Sequence, residues 1–187
     1  MDIAHLIALV EGFVPDDDPR AREARGGTLD LLRTAARPLD RRSFAPGHVT
    51  ASGLVLSPEG GRVLLVFHRR LGRWLQPGGH VEPLDTDIIG AARREVREET
   101  SVELDDTVSP ELVGIDVHSI PASAGEPAHL HHDLVFRFVA RSDRLAGGEA
   151  APAAWCPVER LEEYDTDPPL RRAARRALTG PARPARG

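Results

Sequence analysis

The sequence contains no lysine, and all 24 of its basic residues are arginine. That bias reads as the codon usage of a GC-rich genome rather than as a functional choice. Cysteine is almost as scarce. Cys156 stands alone, which excludes an internal disulfide framework and fits a reducing cytosol. Nothing near it in sequence would activate the thiol, so Cys156 is read as a small buried hydrophobe and not as a nucleophile. A charged-then-apolar leader pattern is missing, and so is any apolar run of membrane length. A soluble, cytoplasmic protein is expected. The net charge of −5 gives no electrostatic reason to expect a nucleic-acid or membrane partner. The length of 187 residues suits one domain with a sizeable core and a small extension.

What is present centres on Leu75 to Val102. Gln76-Pro77-Gly78-Gly79 is turn-prone, and Asp85-Thr86-Asp87 supplies side-chain oxygens of the kind that cap a helix N-terminus. The spacing predicts a helix from there to about Thr100. At ~100° per residue, Ile88, Ile89, Ala92 and Val96 form an apolar stripe, and Glu95, Glu98 and Glu99 form an adjoining one. Arg93 and Arg97 take the outward side. Glu95 and Glu99 are a like-charge i,i+4 pair, which costs ~0.2–0.5 kcal/mol in a helix. A helix built only for stability would interleave such acids with bases. Grouped hard oxygens suit Mg²⁺ or Mn²⁺, above all where the metal also holds a phosphate chain; a solvated Glu/Arg face is the plain alternative.

The run Gly79, five residues, Asp85, eight residues, Arg94-Glu95-Val96-Arg97-Glu98-Glu99-Thr100-Ser101-Val102 resembles the Nudix box of the Nudix hydrolases. The family pattern is Gly, five residues, Glu, seven residues, Arg-Glu-apolar-any-Glu-Glu-any-Gly-apolar. This chain departs from it twice. Asp85 stands where the family has Glu and one extra residue follows it, so that strict register would select Thr86. Ser101 replaces the glycine that suits a left-handed helix end.

The resemblance implies an α+β fold, a Nudix-type α/β/α sandwich with a mixed central sheet, spanning residues 44–180. Residues 1–43 lie outside it as an N-terminal helical extension, and 181–187 are expected to be a disordered tail. In the extension, Ile3, Leu6, Ile7 and Val10 keep a helical period. A second helix is predicted over Arg20–Ala36, interrupted or weakened at Gly26-Gly27. This segment is expected to pack on the core or on a partner subunit, with a homodimer or a role in closing over substrate left open.

Beyond the extension the period shifts to two. Strands are predicted at Val49–Leu56, Arg62–His68, Glu111–Ile120 and Leu134–Ala140, the first two as a hairpin. Trp155 and the residues up to Leu161 resemble the family's last strand and short helix, and a final helix is expected over Leu170–Leu178, capped and opened by Asp165-Thr166-Asp167-Pro168-Pro169. Arg69, Arg70 and Arg73 are candidates to hold phosphates, since guanidinium pairs with them bidentately, or they are a solvated loop. Trp74 either stacks on a base or, the preferred reading, packs over the sheet. His129, His131 and Asp133 share one strand face. They form a zinc set by residue type; the same spacing also suits a substrate pocket, the role assigned to His131 and Asp133.

By resemblance, Glu95, Glu98 and Glu99 would hold Mg²⁺ or Mn²⁺, with the Gly79 region lending a backbone carbonyl. Glu98, another of these glutamates or a later acid (Glu149) would take the proton of the attacking water. Arg94 would fix the glutamates, and Asp85 would support the ligands from behind, cap the helix or serve as an additional acid. The implied reaction is hydrolysis of a diphosphate linkage in a nucleoside triphosphate or nucleotide sugar, with a small-molecule nucleotide as substrate and no nucleic-acid or membrane partner. Asp116 to Ser119 hold neither the proline of the family's ADP-ribose class nor the tyrosine of its dinucleoside-polyphosphate class. Two rivals are an isoprenoid-diphosphate isomerase, disfavoured because Cys156 lies too far downstream, and a non-catalytic nucleotide-binding sensor, disfavoured because Glu95, Glu98 and Glu99 are kept.

Overall fold

A computed structural model describes residues 1–123, 125–145 and 152–179. Helices α1 (Ile3–Gly12) and α2 (Pro19–Thr34) come first, followed by strands β1 (Gly47–Leu56), β2 (Arg62–His68), β3 (Arg73–Leu75) and β4 (Gly78–His80). Then come α3 (Ile88–Thr100), β5 (Glu111–Ile120), β6 (His129–Val139), β7 (Ala153–Pro157), a 3-10 turn at Val158–Arg160, and α4 (Pro168–Thr179). The strands form one mixed sheet in the order β3-β2-β1-β6-β5, with β4 added to β1 and β7 to β2. β1 runs parallel to β6, while the other pairs are antiparallel. This is the expected sandwich. No described helix is long and apolar enough to cross a membrane.

β1 is buried along its whole length, and its two faces have different neighbours. Val49, Ala51 and Val55 join Leu134, Phe136 and Phe138 in a core closed by α1, α2 and α3, with Leu6, Val10, Leu31, Leu32 and Val96 contributing. The opposite face divides in two. Leu54, Leu56, Leu65 and Val135 are covered by Leu170, Ala173, Ala174 and Ala177 of α4. Nearer the start of β1 the same face is polar, because His48, Thr50 and Ser52 alternate with the apolar set and pair in register with His131, Asp133 and Val135.

The glycine pair does not interrupt α2. The helix starts at Pro19, its first residue, with the Asp18 side chain accepting the amides of Arg20 and Ala21, and runs through Gly26-Gly27 to Thr34. Packing overrides the weak propensity. Ala21, Ala24, Leu29, Leu31 and Leu32 are buried, and Thr28 is tied to the sheet by a 3.1 Å hydrogen bond between its Oγ1 and His132 Nδ1. The α3 cap is Asp87, which accepts the Gly90 amide at 2.7 Å. Its end is Ser101, at φ 55° and ψ 17°, so the serine adopts the left-handed conformation that glycine would take without strain. Asp167 accepts the Leu170 amide at 2.9 Å and so opens α4. The tail at 181–187 lies outside the described residues.

Candidate active site

α3 packs against β1 and β4, and this contact builds the site. In register, Gly79 faces Ala51 and His80 faces Thr50, so the missing side chain of Gly79 points toward α3 and the His80 ring points to the other face. A Cβ placed on Gly79 would lie 2.7 Å from Cδ and both carboxylate oxygens of Glu95. One turn on, Glu99 Oε2 accepts the Gly78 amide at 3.1 Å. Glu95 and Glu99 are therefore pressed against the backbone of the glycine turn.

Arg94 organises the rest. Its Nε and Nη2 donate to Asp85 Oδ1 and Oδ2 at 3.1 and 2.9 Å. Nη1 donates to Glu95 Oε1 at 2.8 Å and Glu98 Oε2 at 3.1 Å, and Nη2 also reaches the His80 carbonyl at 2.9 Å. The extra residue before Arg94 thus leaves Asp85, and not Thr86, on the guanidinium; Thr86 turns to Asp87 instead. Arg94 holds the Asp85 carboxyl below the usual carboxylate range. Burial pushes Glu95 up, with Arg94 opposing it. Burial likewise pushes Glu99 up to about 7, only partly offset by the Gly78 amide, and the charges of Glu95 and Glu98 add to the rise. Clustered, desolvated carboxylates that resist ionisation together are what a divalent cation relieves. The donor set is hard oxygen throughout. It fits Mg²⁺ or Mn²⁺.

Beside these groups lies a cleft of about 1020 Å³. Gly79 to Pro83, Asp85 and Glu95 form one wall; Met1, Ile3 and the segment from Ala36 to Arg42 form the other. The N-terminal residues thus complete the concavity that the box helix opens onto.

Other candidates are placed elsewhere. Arg69, Arg70 and Arg73 are exposed on the turn and strand that precede Trp74. Trp74 meets Phe67 and Tyr164 edge-on, with ring centroids 5.4 and 5.7 Å away, and packs against the α4 core. Asp133 is buried on the polar sheet face. Its Oδ1 accepts Thr50 and Ser52 hydroxyls, both at 2.9 Å, and its Oδ2 accepts Gln76 Nε2 at 3.3 Å. Burial raises its pKa. Glu149 lies outside the described residues. Of His129, His131 and Asp133, the two histidines meet, with their Nε2 atoms 3.2 Å apart, and His131 also gathers with His48 and His80, while Asp133 is taken up by hydroxyls and an amide. Sequence reading passed over His48, His80 and Gln76. One signal was available, the polar alternation His48-Thr50-Ser52 within an otherwise apolar central strand.

Comparison with family models matches the NUDIX domain to residues 47–177. Comparison with curated proteins finds no match. Among solved structures, the MutT protein from Bacillus halodurans superimposes with a TM-score of 0.54 at 22% identity, covering 71% of this chain and 82% of that one. The E. coli dihydroneopterin triphosphate pyrophosphohydrolase gives 0.51 at 19% identity over 70% and 94% of the two chains. A C. elegans Ap4A hydrolase binary complex gives 0.50 at 17% identity over 68% and 93%. At these identities the likeness is one of fold.

Proposed function

The chain belongs to the NUDIX family, and from that premise we propose that it is a metal-dependent hydrolase of a diphosphate linkage in a nucleoside triphosphate or nucleotide sugar. The observation that carries this reading is the hold of Arg94 on Glu95 and Glu98 and of the Gly78 amide on Glu99, beside a nucleotide-sized cleft.

The three glutamates, with the Gly79 carbonyl, would hold Mg²⁺ or Mn²⁺. When bound, such an ion neutralises phosphate oxygens and makes water more acidic. The side chains supply the remainder. Arg94 is a positioning residue: anchored by Asp85 and the His80 carbonyl, it holds Glu95 and Glu98 in place. Glu99 is oriented by the Gly78 amide. Glu98 is the most exposed of the three, and it takes the proton of the attacking water. Attack on phosphorus breaks the bridging P–O bond and releases a nucleoside monophosphate with either pyrophosphate or the phosphorylated remainder. Arg69, Arg70 and Arg73 are exposed and lie outside the cleft lining, so they would hold the outer phosphates of a substrate that extends beyond the cleft. Trp74 supports their loop from its seat between Phe67 and Tyr164. His131 and Asp133 lie on the polar sheet face, where the nucleoside end would be read.

The test is product release from nucleoside triphosphates, nucleotide sugars, ADP-ribose and dinucleoside polyphosphates with Mg²⁺ or Mn²⁺, with Glu98→Gln run alongside. Metal-dependent turnover of one class, reduced by ~10²-fold or more in Glu98→Gln, is expected, the loss being that of a general base. Binding of a panel member in a thermal-shift assay without turnover would replace the hydrolase with a nucleotide sensor.

A further inference from the structure

The polar half of the sheet carries a group of imidazoles of which the hydrolase reading engages only His131. β1 lies between β4 and β6, and each of these strands contributes a histidine to the same face: His131 is beside His48, and His80 is opposite Thr50. One nitrogen from each of His48, His80 and His131 lies within 4.8 Å of the other two. Their ring centroids are 4.8 to 5.1 Å apart. One pleat away on β6, His129 places its Nε2 3.2 Å from His131 Nε2.

An independent observation marks this group as ligands and not as packed core. His48 is fully buried, and its Nδ1 sits 3.2 Å from the Ser43 carbonyl oxygen. A carbonyl faces only a donor, so Nδ1 carries the proton and Nε2 presents a bare lone pair. That Nε2 is buried and has no hydrogen-bond partner among the described residues, which is unfavourable unless something occupies it. An imidazole held through one nitrogen by a carbonyl, with the other nitrogen free, is how proteins orient a metal-ligating histidine. His129 is held in the same way through one nitrogen, its Nδ1 being 2.8 Å from the Pro127 carbonyl.

We propose that His48, His80 and His131 bind a zinc-class divalent transition metal through three imidazole nitrogens, at a site separate from the box glutamates. Imidazole selects zinc, cobalt, nickel or copper over magnesium, whose ligands are hard oxygens. Ligand nitrogens on tetrahedral zinc stand about 3.3 Å apart at bond lengths of ~2.0–2.1 Å, so ring rotation of about an ångström closes the set. His129 is placed to take the fourth position. Because Gly79 turns to Glu95 and His80 to the other face, β4 carries a hard-cation site on one side and a nitrogen site on the other. The two are linked through the His80 carbonyl, which accepts from Arg94. The proposal does not depend on the hydrolase reading.

The experiment uses the full chain freed of any histidine tag. Zinc is titrated against a chromophoric chelator, bound metal is counted by elemental mass spectrometry, and Co²⁺ replaces zinc for visible spectroscopy. One equivalent of zinc per chain is expected, with Co²⁺ bands of tetrahedral intensity. His80→Asn and His131→Gln should each weaken binding by about 100-fold or more, because even outer-shell losses cost ~10–100-fold. A combined Glu95→Gln, Glu98→Gln, Glu99→Gln variant should keep the zinc. No stoichiometric zinc, equal affinity in folded His80→Asn, or loss of zinc in the glutamate variant would each overturn the proposal. His48→Gln removes a buried group, so its result is read only when circular dichroism matches the parent; the half-buried His80 carries the test otherwise.

Discussion

Gly79→Ala separates the folding role of the glycine turn from its role in the site. The new Cβ would lie 2.7 Å from the Glu95 carboxylate, whereas carbon contacts are optimal at ~3.5–4.0 Å. Glu95 must therefore retreat by about 1 Å. It cannot do so freely, because Arg94 Nη1 holds it at 2.8 Å and Arg94 is itself held by Asp85 and the His80 carbonyl. The obstacle is the end of a side chain, so the effect on folding is small: overpacking costs ~1–3 kcal/mol, and loss of glycine's unfolded-state freedom returns ~0.4–1 kcal/mol. Activity is where the substitution acts. A misplacement of about 1 Å in a site costs ~10²-fold, or ~2.7 kcal/mol of barrier. Gly78→Ala is the contrast. There a Cβ would meet Ser52, with its Cβ at 2.7 Å and its backbone Cα at 2.8 Å, so β4 must part from β1. Metal-dependent kcat/KM and the thermal midpoint of both variants decide the matter. Gly79→Ala should lose ~10²-fold in kcat/KM and keep its midpoint within a few degrees, while Gly78→Ala should drop by ~4 °C or more. Parental activity in Gly79→Ala at every metal concentration would refute the claim that Glu95 must sit where it does. So would equal midpoint losses in the two variants.

Three further outcomes are expected. Asp85→Asn removes a carboxylate that Arg94 grips at 2.9 and 3.1 Å and should cost ~1.5–3 kcal/mol in urea unfolding at pH 7, the range for hydrogen bonds to charged groups. Since Arg94 lowers the Asp85 pKa in the folded state, that difference is full above the unfolded value of ~3.9 and shrinks as pH falls below it; a pH-independent difference would count against the ion pair. Ser101→Gly relieves a left-handed serine at φ 55° and should raise the thermal midpoint by ~2–4 °C, about 1 kcal/mol, so an unchanged or lower midpoint would show the conformation to be unstrained. Cys156 is fully buried and its thiol is pushed up to about 11 by burial. Iodoacetamide at pH 8 should leave the native protein unmodified and alkylate it in denaturant, and rapid native alkylation would contradict that burial.

The sequence by itself determined what depends on near neighbours along the chain. Glu95, Glu98 and Glu99 share a stripe because helix geometry sets i, i+3 and i+4 side by side whatever else the chain does. The caps at Asp87 and Asp167 and the β1–β2 hairpin are equally local. Tertiary structure decided everything that rests on register between distant strands or on a helix docking. Only the seating of α3 on β4 put Asp85, one residue out of the family's spacing, on Arg94. Burial against the sheet carried α2 through Gly26-Gly27. Asp133 went to Thr50, Ser52 and Gln76, and His131 to His48 and His80, because β1 pairs with both β4 and β6. A strand's period of two tells which residues share a face, but its partners across the sheet are set by register, and a slip of one residue would have sent every one of these side chains to the opposite side.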